Sequence, residues 1–236
     1  MKETWQGRAR QGQAGQGMDN QNMGGRKMQR TNKSNGSQEI VTISLPKRER
    51  VTITVFGDTP YVGTNFSQQV REDLLQEQTG KAKTKARAAR NPEAEAKSRR
   101  HIIDEYDCIP CEAFRAAMID TAKDDTLKGV SGEAVRRSIS IQGDVGNYII
   151  IKNGDGQSPH SGPKTFEAVV KLANGQRHIA FRPSYDTWSA SFSIIYLADR
   201  FSQQDVLNLL ARAGITTGVG DTRRIGGGRF YLKGND

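Results

Sequence analysis

Between Gly214 and Phe230 the chain interleaves glycine with arginine: Gly214, Gly218, Gly220, Gly226, Gly227 and Gly228 stand among Arg223, Arg224 and Arg229. Glycine lacks a Cβ and tolerates positive φ, so such a backbone can come close to another surface. Arginine offers planar donors that match phosphate oxygens. Together these types point to contact with a nucleic-acid backbone. Loop N–H groups would cradle phosphate, with the three arginines as charge partners. The run is not a P-loop, because no Gly-Lys-Ser/Thr follows and it leads into a strand, not a helix. The competing reading is a flexible hairpin that closes a sheet.

A second cationic group lies upstream: Lys81, Lys83, Lys85, Arg87, Arg90, Lys97, Arg99 and Arg100 share their segment with only Glu93 and Glu95. A charge run is usually a solvated face, but the shortage of acids here favours a polyanion as partner. Arg182, ahead of Pro183, joins the candidate set. Tyr61, Tyr185 and Trp188 are the aromatics that would stack on bases, although an aromatic within a strand is more often core. Cys108-Ile109-Pro110-Cys111 at a helix start is a rival signal, since a helix N-terminus lowers a thiol pKa. Asp104, Glu105 and Asp107 just before it act in the opposite sense. No second cysteine pair exists, and His101, His160 and His178 lack ligand spacing, so neither metal nor cofactor is expected. No catalytic arrangement is singled out, and a non-enzymatic protein is expected.

The charge distribution says which parts of the chain hold these groups. Residues 1–38 carry seven Lys/Arg against two acids (+5), and residues 81–100 carry eight against two (+6), which leaves −2 for the rest of a chain of net +9. Basic appendages on a near-neutral body are the distribution expected of arms that bind a polyanion. The first 38 residues are rich in Gln, Gly and Asn and read as a disordered arm. Residues 79–100 contain no large apolar residue and read as an exposed, mobile insertion, with Pro92 interrupting any helix there. A hydrophobic content of 35% and a mean hydropathy of −0.68 agree with part of the chain lying outside a core. No apolar run is long enough to span a membrane and no secretory leader is visible, so a reducing cytoplasm is expected.

The remaining segments supply a scaffold over 39–236. Ile40–Leu45 and Val51–Phe56 alternate as strands, and a short helix is expected over Ser67–Leu75. Pro110 stands at the first position of a helix whose stripe is Cys111, Phe114, Met118 and Ala122. Ser138–Ile141 and Tyr148–Ile151 read as strands around a turn, and Asn174-Gly175 joins Val169–Leu172 to Arg177–Arg182 as a hairpin. A strand from Trp188 to Leu197 leads to a helix with Ser202 as N-cap, Asp205 three residues on, Phe201 and Val206 as a staple, and Gly214 as its stop. Strand, helix, strands, helix, strand is the order of a ferredoxin/RRM-like α+β fold, an antiparallel sheet with helices on one face.

Gly57-Asp58-Thr59-Pro60-Tyr61, the helix start at Ile109-Pro110, Arg182-Pro183 with Trp188, Ile194-Ile195-Tyr196, Leu209-Leu210 and Gly218-Val219-Gly220-Asp221 together resemble a group of tailed-phage proteins over about residues 51–231. More distantly, Ile109–Phe114 and the glycine-rich Gly218–Arg229 resemble the RAMP superfamily, the RRM-like backbone subunits of CRISPR effector complexes. That resemblance implies binding along a single-stranded DNA or RNA backbone, with self-association into a multimer or filament. The alternative is a phage virion structural or assembly protein, its arms holding neighbouring subunits or packaged DNA.

Overall fold

Val51, Ile53 and Val55 alternate with Arg50, Thr52 and Thr54, a period of two that gives a strand one apolar and one polar face. In the computed structural model this becomes β1 (Arg48–Gly57), centre of a four-stranded antiparallel sheet. The structure describes residues 45–65, 75, 79, 90–123, 130–171 and 175–233, the side chains of 170 and 171 excepted. The N-terminal arm, residues 40–44 of the expected first strand, residues 67–74 of the short helix, and Lys81, Lys83, Lys85 and Arg87 lie outside the described residues.

In chain order the elements are β1, β2 (Tyr61–Val62), α1 (Pro92–Ser98), β3 (Ile102–Ile103), β4 (Tyr106–Pro110), α2 (Cys111–Lys123), α3 (Gly132–Ser138) and β5 (Ile139–Gln142). There follow β6 (Tyr148–Ile150), β7 (Lys164–Lys171), β8 (Arg177–Tyr185), β9 (Ser189–Leu197), α4 (Gln203–Thr216), a 3-10 turn (Asp221–Ile225) and β10 (Phe230–Leu232). The main sheet runs β10-β1-β9-β5, every neighbour antiparallel. Counting only its own strands, the order is fourth, first, third, second. Each parallel pair, β1/β5 and β9/β10, is joined through a helix, the ferredoxin-like double βαβ. Two three-stranded sheets, β2-β8-β7 and β3-β4-β6, are built from the insertions in this frame.

The helices α2 and α4 pack on one another, with α2 against β5 and α4 against β10. Between helices and sheet lies an aromatic centre: Phe114 of α2 meets Phe192 at 4.6 Å and Phe230 at 5.4 Å between ring centroids, with Trp188 beside it. The predicted stripe Cys111, Phe114, Met118 and Ala122 is buried as a set. The start of α4 is as read. Ser202 Oγ accepts from the Asp205 N–H and the Asp205 carboxylate accepts from the Ser202 N–H, a reciprocal cap.

Several expectations are corrected. Pro92 does not break a helix but opens α1, where its missing N–H costs nothing, and Asn91 caps the turn by accepting from the Ala94 N–H. Residues 90–100 are therefore a positioned helix and its flanks, held on β7 and β8 with Ala96 buried, not a mobile insertion. Pro110 is the last residue of β4, facing Tyr148, and the helix begins at Cys111. β5 and β6 belong to different sheets, because β9 claims β5 and β4 claims β6. Gly214 does not stop α4. It lies inside it, where a side chain would strike the Phe230 carbonyl, and the helix closes at Gly218, whose N–H reaches Ala213 O at φ +72°.

Candidate nucleic-acid interface

The loop from Gly218 to Arg229 is laced to the β1–β2 turn, so two segments 167 to 170 residues apart in sequence form one wall. The Gly228 N–H donates to Pro60 O at 2.9 Å, Thr59 Oγ1 donates to Gly226 O at 3.1 Å, and the Arg229 N–H donates to Thr59 Oγ1 at 2.8 Å. Across the loop, the Val219 N–H donates to Gly228 O at 2.9 Å. The close approach that glycine permits is internal. A Cβ on Gly220 would stand 2.7 Å from Val62 O, one on Gly228 would land on the Val219 carbonyl, and both residues have positive φ.

Glycine N–H groups of the loop are turned inward, contrary to the phosphate-cradle expectation. The N–H groups of Gly218, Gly226, Gly227 and Gly228 already donate to Ala213, Arg223, Thr222 and Pro60, so these donors are not aimed at a ligand. The loop is neither a cradle nor a loose hairpin, but an ordered strap whose 3-10 turn carries Arg223 and Arg224 outward.

Beside it opens a cleft of about 440 Å³, bounded by Tyr61 and Thr64 after the β1–β2 turn, His101, Pro110 and Ala113 at the β4–α2 corner, and Gly220, Asp221, Arg223 and Arg224 of the strap. Arg224 is exposed with no charge partner among the described residues. Arg223 is 36% exposed, and Asp120 stands 3.7 Å away, a loose and solvent-screened pair. His101 Nε2 lies 3.2 Å from Thr64 O, so the imidazole is held at the rim.

Of the other arginines singled out from sequence, Arg90, Arg99, Arg100 and Arg182 are each held by a carboxylate. Arg90 forks onto Glu95 at 2.5 and 3.2 Å and lies over the Phe181 ring, and Arg99 meets the same carboxylate at 3.4 Å. Burial opposes ionisation of Glu95, but its hydrogen bonds to Arg90 and the Phe181 N–H and the two positive charges outweigh it and hold the carboxyl below its usual value. Arg100 is bidentate to Asp107 at 2.7 and 2.6 Å, a carboxylate only 3% exposed. Its hydrogen bonds to Asp107 strengthen the guanidinium's hold on its proton, while burial opposes that. Arg182 is paired with Asp221 and clamps the strap to β8, and burial, with Arg99 nearby, lowers its pKa. Arg229 is half-buried, and its Nη1 has no protein partner among the described residues. Composition does not reveal these partners. Glu95–Arg99 at i,i+4 is the one readable from spacing.

The aromatics proposed for stacking are core. Trp188 is fully buried with its Nε1–H donated to Thr59 O at 2.9 Å, and Tyr61 and Tyr185 are buried beside it. Burial, with the Asp107 charge, drives both phenol pKa values far up. The cysteines are buried and free. Burial pushes the Cys108 thiol up to about 11 and raises that of Cys111. The nucleophilic thiolate is thereby suppressed, which removes the physical basis for exchange chemistry. Among the described residues no three His, Cys, Asp or Glu side chains converge as a metal site, and no helix is long and apolar enough to cross a membrane.

No family model matches the chain, and no curated protein matches it. Solved structures match it distantly, two of them as follows. The cryo-EM structure of the type III-B Cmr-beta complex bound to cognate target RNA matches at a TM-score of 0.46 and 11% identity, over 80% of this chain and 60% of that one. The crystal structure of Cmr6 from Pyrococcus furiosus matches at 0.37 and 13%, over 79% and 98%. The chain thus spans about 60% of the first of these.

Proposed function

We propose that this protein binds nucleic acid without catalysing a reaction on it, prefers single strands, and grips them chiefly through phosphate. The observation that carries the reading is the pair Arg223 and Arg224, lifted by the strap to the lip of a cleft and not tied up by close ion pairs as Arg90, Arg100 and Arg182 are. The cluster Lys81, Lys83, Lys85 and Arg87 and the basic residues of the first 38 positions add long-range attraction in a chain of net +9. Arg229, with a buried unpartnered nitrogen beside the strap, holds the loop's inner side.

Self-association belongs to the same reading. Val169 and Ile179 stand opposite each other on the β7–β8 hairpin and are 65% and 42% exposed, an apolar pair open to a neighbouring copy.

Mobility-shift titrations of single-stranded and duplex DNA and RNA at several salt concentrations test the proposal. Single strands should bind more tightly than duplex. The variant Arg223→Ala/Arg224→Ala should lower the slope of log K against log salt by about 1.4, two phosphate contacts at roughly 0.7 each. Failure of the full chain to bind any oligonucleotide in dilute buffer refutes the reading. Stable subunit assembly without such binding would favour a structural or assembly role instead.

A further inference from the structure

The main sheet has a second face, turned away from α2 and α4, whose side chains differ from an ordinary solvated surface. Its centre is a ladder of hydroxyls: Thr52 meets Ser193 at 2.8 Å and Thr54 meets Ser191 at 2.9 Å across the β1–β9 pair. At the end near β10 this polar pattern gives way to two rings, of which Phe56 is packed against the turn at Gly156. Phe56 and Tyr231, register partners on β1 and β10, stack at 5.8 Å with 26° between planes, and Tyr231 is 49% exposed. Among the described residues, the outward positions of the four strands include Arg48 and Arg50 and no carboxylate. Lys152 reaches over the face to Ser191 at 3.4 Å, and Arg50 donates to Gln142 at 2.8 Å.

We infer that this sheet face is a second binding surface, one that takes unpaired nucleobases of a single strand, with Tyr231, braced from behind by Phe56, as the stacking platform. The inference rests on the nucleic-acid reading and extends it to the side of the sheet opposite the cleft. Every base offers a π-face to an exposed ring, so the platform needs no particular sequence. The hydroxyl ladder and Gln142 supply donors and acceptors for base edges, while Lys152 and Arg50 supply positive charge for the intervening phosphates. A duplex is excluded by the same chemistry, since its bases are already stacked on one another. A protein partner fits the face less well, because its apolar groups, the two rings at one end and Ile195 and Leu197 beside Arg50 and Arg48 at the other, are separated by the hydroxyl ladder and form no continuous apolar patch.

Photocrosslinking and affinity on the full chain test it, with a 5-iodouracil-substituted single strand of about twelve nucleotides as probe, in DNA and RNA forms and as a duplex. The crosslink should map to Phe230–Leu232 or to Phe56, with the single strands only. Tyr231→Ala should bind about tenfold more weakly, the scale of one lost stack, with an unchanged salt slope because no charge is removed. Tyr231→Trp should restore affinity. Tyr231→Ile keeps a strand-favouring apolar residue and should not restore it. Wild-type affinity in the isoleucine variant, or unaltered affinity in the alanine variant without a crosslink at these residues, overturns the inference and leaves the cleft reading standing. A changed sedimenting mass in the alanine variant with unchanged oligonucleotide binding also overturns it, as a protein interface. No binding by the wild-type chain overturns both.

Discussion

Replacing Asp107 by asparagine separates structural arginines from ligand-binding ones. The Asp107 carboxylate is 3% exposed and accepts two hydrogen bonds from Arg100 at 2.7 and 2.6 Å, with the Tyr185 hydroxyl sharing it. Asparagine keeps the shape and removes the charge, so Arg100 loses its counter-ion while one amide nitrogen faces its donors. Breaking a buried pair from one side costs about 3–5 kcal/mol. Arg100 is 21% exposed and regains part of its hydration, which places the expected loss at roughly 2–3 kcal/mol. For a domain of this size that lowers the melting temperature by about 5–10 °C. Thermal and urea melts measure it, and a cycle with Arg100→Met and Asp107→Leu isolates the coupling, since the double variant buries no lone charge. At a temperature where wild type and Arg100→Met are both folded, the salt slope of oligonucleotide binding should be the same for the two. A melting point within about 2 °C of wild type, or a slope reduced as for a lost phosphate contact, would refute the assignment of Arg100 to the scaffold.

Three further outcomes follow from the same geometry. The folded-state pKa of Glu95 is depressed, so its contribution is complete above the usual value of 4.5 and is lost as the pH falls from there through the lower folded value; Glu95→Gln should flatten that part of the acid-unfolding curve followed by circular dichroism. Cys108 and Cys111 should resist alkylation at neutral pH in the native protein and react fully in denaturant, with no disulfide formed on mild oxidation, as read by mass spectrometry. Ser202→Ala removes the reciprocal cap of α4 and should cost about 1 kcal/mol in a urea melt.

The local signals were legible because each depends on neighbours in sequence. The stripe on α2, the Ser202–Asp205 cap, the alternation of β1 and the order of elements in a ferredoxin-like frame needed only periodicity and capping chemistry. Pro92 misled because the same ring that breaks a helix interior opens a helix, and only the cap at Asn91 decides between the two.

The sequence by itself determined the residue types available for binding: three arginines and six glycines near the C-terminus, and a cationic run in the middle of the chain. Tertiary structure decided which of them face outward. A guanidinium is free or spent according to whether a carboxylate meets it: Asp221 finds Arg182 from a distant segment, while Arg100–Asp107 and Arg90–Glu95 are near in sequence but outside helical i,i+3 or i,i+4 spacing, so the local path of the folded chain brings them together. The strap glycines likewise turn their N–H groups inward because Pro60, brought from the other end of the domain, needs a donor. Tyr231 stands in the open because β10 pairs with the outer edge of β1, whereas Trp188 is enclosed by the helices. Local chemistry writes elements into a chain, but which side chains stay exposed is decided where distant segments meet, as at the strap and Pro60 or at Arg182 and Asp221.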